Sequence, residues 1–91
     1  MQKPAFQLGR VVATPAAIEF TNTYPVDLAV LLARHQSGDC GDMSDDDILA
    51  NLSAIVSGGR VFSSYEIGPQ KIWIITEADR TITTVLLPSD Y

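Results

Sequence analysis

At Arg60 the apolar residues of this chain stop recurring every three to four positions and begin to alternate every two. Helices and strands are the regular structures with those repeats, so the chain divides there into a helical part and a sheet part. Downstream, "RVFSSYEI" sets Val61, Ser63, Tyr65 and Ile67 against Phe62, Ser64 and Glu66. Gly68-Pro69-Gln70 turns the chain, "KIWIITE" returns, "ADR" turns it again, and "TITTVLL" runs to Pro88. Connections this short join antiparallel neighbours, which predicts a three-stranded meander.

Upstream, "AFQLGRVVA" reads as a short strand or extended arm. Thr14 followed by Pro15 is a helix start signal, and "TNTYP" ends that helix early. After Pro25, Leu28, Leu31 and Leu32 share a helical face until Gly38 stops it. Ser44 then predicts an N-cap, with Asp45, Asp46 and Asp47 in the first turn, where the helix dipole favours negative charge. Ile48, Leu49, Leu52, Ile55 and Val56 follow at helical spacing, and Gly58-Gly59 ends the element. Helices followed by a meander predict an α+β fold, with two to three helices on one face of a three- to four-stranded antiparallel sheet. The five apolar residues of the third helix are expected to bury against Ile72, Ile74 and Val85. Leu52→Ala is then expected to cost about 2–5 kcal/mol.

The 91 residues suit a single domain spanning 1–91, with one core. Apolar runs such as "VDLAVLLA" fall well short of the roughly 20 residues that cross a bilayer, so no membrane association is expected. The first ten residues carry Lys3 but no apolar stretch of a secretory signal, and a lone Cys40 permits no internal disulfide. A cytoplasmic location is the expectation. The net charge of −5 and the pI near 4.4 disfavour direct nucleic-acid binding, which draws its affinity from Lys and Arg.

The acids at positions 39, 42, 45, 46 and 47 lack the alternate spacing and closing Glu of a calcium loop, and capping accounts for Ser44 to Asp47. No metal and no cofactor is expected. Cys40 has no second cysteine with which to bind a metal. His35 is the single histidine; its ordinary pKa suits acid–base work, and the last turn of a helix also suits an imidazolium. Trp73 reads as core or as a cover over one sheet face. Arg80, at the "ADR" turn beside Glu77 and Asp79, is expected to stay partly solvated and to matter little for folding.

The stretches "LGRVVATPAA", "LLARHQSGDCGD" and "KIWIITEADRTITTVLLPSDY" together resemble a family of small bacterial proteins carried by plasmids and integrative mobile elements. That resemblance spans most of the chain and implies no established activity. The family pattern has Trp where Cys40 stands and Gly where Ala16 stands. A looser similarity is to the barnase–colicin–RelE-like ribonucleases, which pack helices on an antiparallel sheet. It implies His35 as acid or base, Arg60 and Arg80 on the phosphate, and Ser64, Tyr65 and Thr83 around the scissile oxygen.

Two functions follow as expectations. One is a non-catalytic protein-binding module that interferes with host defence, of the restriction or CRISPR type, through a host or element-encoded partner. Its candidate contacts are Asp39, Asp42, Asp45, Asp46, Trp73 and Arg80. The alternative is a metal-independent ribonuclease built on His35 with Arg60 and Arg80.

Overall fold

The computed structural model describes residues 5–41 and 43–91. Strand β1 (Arg10–Ala13) leads into helices α1 (Pro15–Thr23), α2 (Leu28–Gln36) and α3 (Asp45–Ser57). Strands β2 (Val61–Ile67), β3 (Gln70–Thr76) and β4 (Ile82–Leu86) follow, and a 3-10 turn over Pro88–Asp90 brings the chain to Tyr91. The fold is α+β, with one four-stranded sheet in the order β1-β4-β3-β2.

The predicted meander is present: β2 pairs antiparallel with β3, and β3 with β4. The expectation of a wholly antiparallel sheet needs correcting, because β1 runs parallel to β4, with Arg10 opposite Ile82 and Ala13 opposite Val85. Gly9 makes that approach feasible. Its φ is +66°, and a Cβ there would collide with the carbonyl oxygens of Arg80 and Thr81.

Helix starts follow their local chemistry. Thr14 Oγ1 accepts from the Ala17 amide at 3.1 Å, with Pro15 at the first helical position. Asp27 accepts from the Ala29 amide at 3.0 Å, and Ser44 Oγ accepts from that of Asp47 at 3.2 Å. Each bond satisfies a donor that the first helical turn leaves without a carbonyl partner.

Register assigns the two sheet faces. Val61, Ser63 and Tyr65 on β2 lie opposite Thr76, Ile74 and Ile72 on β3, and Ile74 and Thr76 lie opposite Val85 and Thr83 on β4. Helices α1 and α2 cover this face: Ala17, Phe20 and Leu31 join Tyr65, Ile72, Ile74, Val85 and Leu87 in the core. Full burial of side chains such as Ile72 and Ile74 stabilises by roughly 1.5–3 kcal/mol each. On the second face, Ile75 and Leu86 are buried. Phe62, Trp73 and Tyr91 meet edge-to-face there, with ring centroids 5.0 and 5.8 Å apart.

The position of α3 overturns the expected core. Leu49, Leu52 and Val56 are 62%, 46% and 89% exposed, while the buried residue of the helix is Asn51. Helices α1 and α2 already occupy the sheet face, so α3 lies along the outer edge of β2. There Asn51 serves as a substitute strand. Its Oδ1 accepts from the Phe62 amide at 3.0 Å and its Nδ2 donates to the Phe62 carbonyl. One residue pair further on, the Ser64 amide donates to the Cys40 carbonyl at 3.0 Å, and Gly41 bridges to Ser64. The edge of β2 is thereby closed, which removes a template for strand addition.

Candidate functional site

His35 projects from α2 onto the covered sheet face and is fully buried. Its Nδ1 lies 2.6 Å from Ser63 Oγ, and its Nε2 lies 2.9 Å from Thr76 Oγ1. Thr76 Oγ1 is 2.7 Å from Thr83 Oγ1, which donates to the Leu8 carbonyl at 2.7 Å. Proton directions follow by elimination. A carbonyl only accepts, so the Thr83 hydroxyl is spent on Leu8 and must accept from Thr76. Thr76 then accepts from His35 Nε2–H, and Nδ1 accepts from Ser63. The ring is a neutral Nε2–H tautomer held at both nitrogens.

Electrostatics agree with that tautomer. Burial away from water, and secondarily the positive charge of Arg80, lower the His35 pKa from 6.5 to about 4. The Phe6 ring meets the imidazole edge-to-face at 5.2 Å, and the Arg80 guanidinium lies over the Phe6 ring at 5.3 Å.

Arg80 itself is half-buried, not a solvated turn charge. Its guanidinium donates to the carbonyls of Gly59 at 2.5 Å, Glu77 at 3.1 Å and Ala54 at 3.2 Å. Ala54 and Gly59 are at the C-terminal end of α3, where the helix dipole favours a cation, and the Ala54 carbonyl also accepts from the Gly58 and Gly59 amides. Arg80 has a φ of 60°, the single positive value outside glycine among the described residues. The carbonyl contacts hold it in that costly conformation.

The remaining candidates are dispersed. Arg60 donates to the Tyr91 hydroxyl at 3.1 Å and pairs with Glu77 at 3.4 Å, on the exposed side of β2. Ser64 belongs to the second face, opposite Trp73. The Tyr65 hydroxyl donates to the Asp39 carbonyl at 2.5 Å, and burial pushes its pKa up to about 12. Of the six residues implied by the ribonuclease likeness, His35 and Thr83 share one hydrogen-bonded chain, and Arg80 reaches it through Phe6. Arg60 and Ser64 stand outside it, and Tyr65 touches it through the Ser63 hydroxyl. Ser63 and Thr76, which sequence reasoning did not select, complete it. The alternation that puts Ser63 beside Val61 and Tyr65 was their available signal.

Among the binding candidates, Asp39 is exposed and pairs with Arg34 at 2.8 Å, which holds its carboxyl below the usual range. Asp45 and Asp46 are exposed in the first turn of α3. Trp73 is half-buried between Phe62 and Tyr91, and Arg80 is committed to carbonyls inside the fold. Asp42 lies outside the described residues. Among the described residues, no group of three or more His, Cys, Asp or Glu is placed to hold a metal ion. No described helix is long and apolar enough to cross a membrane. No protein family, curated protein or solved structure matches the chain.

Proposed function

We propose that this protein is a non-catalytic protein-binding module whose contact surface is the outer face of α3. One observation carries the reading: Leu49, Leu52 and Val56, spaced i, i+3, i+7, stand uncovered on one helical stripe beside the exposed acids Asp45, Asp46 and Asp47. An apolar stripe ending in a cluster of like charge matches a groove that is apolar along its length and edged by Lys or Arg at one end. The net charge of −5 favours a basic partner by long-range attraction as well. The likeness to proteins of plasmids and integrative elements directs the search to restriction or CRISPR machinery, whose nucleic-acid channels are basic. The polar residues nearest to an acid–base arrangement are enclosed around a neutral His35, which supports binding over catalysis.

Affinity capture from a bacterial host tests the reading, with wild type beside Leu49→Asp/Val56→Asp and Asp45→Asn/Asp46→Asn. A captured protein that rebinds in purified form, is lost with the apolar variant, and weakens with the charge variant or with added salt is the expected result. Capture indifferent to both variants would overturn the assignment of α3. RNA cleavage by wild type that disappears in a folded His35→Ala variant would overturn the non-catalytic reading.

A further inference from the structure

The second sheet face holds a cleft of about 300 Å³ between the start of α3 and the strands β2 and β3. Phe62 and Trp73 line it as aromatic walls, Met43 adds a thioether, and among the described residues its charged lining residues are Lys71 and Asp47. Ser64 lines it as well, and it is only 4% exposed. Its hydroxyl is the one buried side-chain oxygen or nitrogen without a hydrogen-bond partner among the described residues. Leaving a buried hydroxyl unpaired costs on the order of 1–3 kcal/mol, so such a group calls for a partner that the described residues do not themselves supply.

We infer that the cleft binds a free aromatic amino acid as its zwitterion. A ligand of single charge is attracted by one of Lys71 and Asp47 and repelled by the other, whereas a zwitterion satisfies both. The register fixes which end goes where. Ser64 lies directly opposite Trp73, and Lys71, paired across the strands with Glu66, is two residues before Trp73 on the same face, so hydroxyl and ammonium are diagonal neighbours beside the indole. A carboxylate placed there accepts from Ser64 Oγ and Lys71 Nζ. The ligand's ammonium then faces Asp47. Its ring packs against Trp73, Phe62 and Met43, the surfaces that suit an aromatic body. This site meets the acidic end of the α3 surface at Asp47 but does not use the apolar stripe, and the inference does not depend on the proposed function.

Trp73 is the single tryptophan, so its fluorescence reports directly on the cleft. L-phenylalanine, which does not absorb at the red edge of indole excitation, is the probe. Saturable change in Trp73 emission with L-phenylalanine is expected, with weaker binding of phenethylamine, 3-phenylpropionate and L-alanine, each of which lacks one of the three features. Ser64→Ala should weaken L-phenylalanine roughly tenfold, as loss of a hydrogen bond to a charged group does. Lys71→Met should weaken L-phenylalanine but strengthen phenethylamine, which it frees from a like charge, and Asp47→Asn should weaken L-phenylalanine but strengthen 3-phenylpropionate. Circular dichroism verifies that each variant is folded. Absence of saturable binding, equal binding of all four compounds, or full affinity in folded Ser64→Ala would overturn the inference and leave the Ser64 hydroxyl to solvent.

Discussion

Lowering the pH from 7 should destabilise this protein well before its carboxylates titrate, because of His35. In the unfolded chain its pKa is near 6.5, and in the fold it is about 4. The unfolded state therefore takes the proton first. The contribution is fully present above pH 6.5, declines as the pH falls, and is spent near pH 4. At about 1.4 kcal/mol per pH unit, that gap is worth roughly 3 kcal/mol, a substantial part of the 5–15 kcal/mol that holds a typical domain folded. Asp39 and Asp79 also have lowered pKa values, held by Arg34 and by Thr81, but their losses come below the ordinary carboxyl value of 3.8. The window from pH 6.5 to 5 thus isolates the histidine. Urea unfolding midpoints measured across that window should fall steadily in wild type. A His35→Gln variant should be less stable at pH 7 and show a flat profile down to pH 5. The ring protons of the single histidine, followed by NMR, should not titrate until the pH is near 4. Stability independent of pH between 6.5 and 5 in wild type, or a ring that titrates near 6.5, would refute the buried neutral tautomer.

Other expectations concern α3 and its supports. Asn51→Ala removes both bonds to the Phe62 backbone and should cost about 2 kcal/mol, read from chemical denaturation, with increased aggregation from the exposed β2 edge. Arg80→Ala should cost roughly 1.5–3 kcal/mol by loss of its carbonyl contacts, and Arg80→Gly should recover about 1 kcal/mol of that because φ 60° suits glycine. Val56→Ser should change stability by less than about 0.5 kcal/mol, since the side chain is already in water. A cost above 1 kcal/mol would mean that Val56 is covered after all.

What could be read from the sequence depended on how local the physics was. The period change at Arg60, the caps at Thr14 and Ser44, and the two strand-joining turns are set by a few adjacent residues, and all stand in the structure. The partner of β1 was hidden, because pairing Arg10 with Ile82 joins segments on opposite sides of the whole helical half. Periodicity marked the apolar face of α3 but cannot tell whether anything covers it, and two earlier helices had already taken the sheet. Asn51, a poor helix former amid apolar neighbours, was the visible clue that this helix serves an edge. The sequence marks His35 as the single histidine, but not its burial. Its partners Ser63 and Thr76 escaped notice because hydroxyls on strands suit solvent equally well.

Closing β2 with α3 also makes the sheet one-sided. Among the described residues nothing pairs with the outer side of β1, a four-residue strand whose Val11 and Val12 are 43% and 36% exposed. A strand from another molecule can therefore register at one margin only, since Asn51 and the Cys40–Gly41 segment occupy the other. Growth by repeated strand addition needs two free margins on every subunit. Two copies meeting β1 to β1 would exhaust each other's valence, so edge pairing of the folded protein ends at a closed pair and cannot propagate into a fibre.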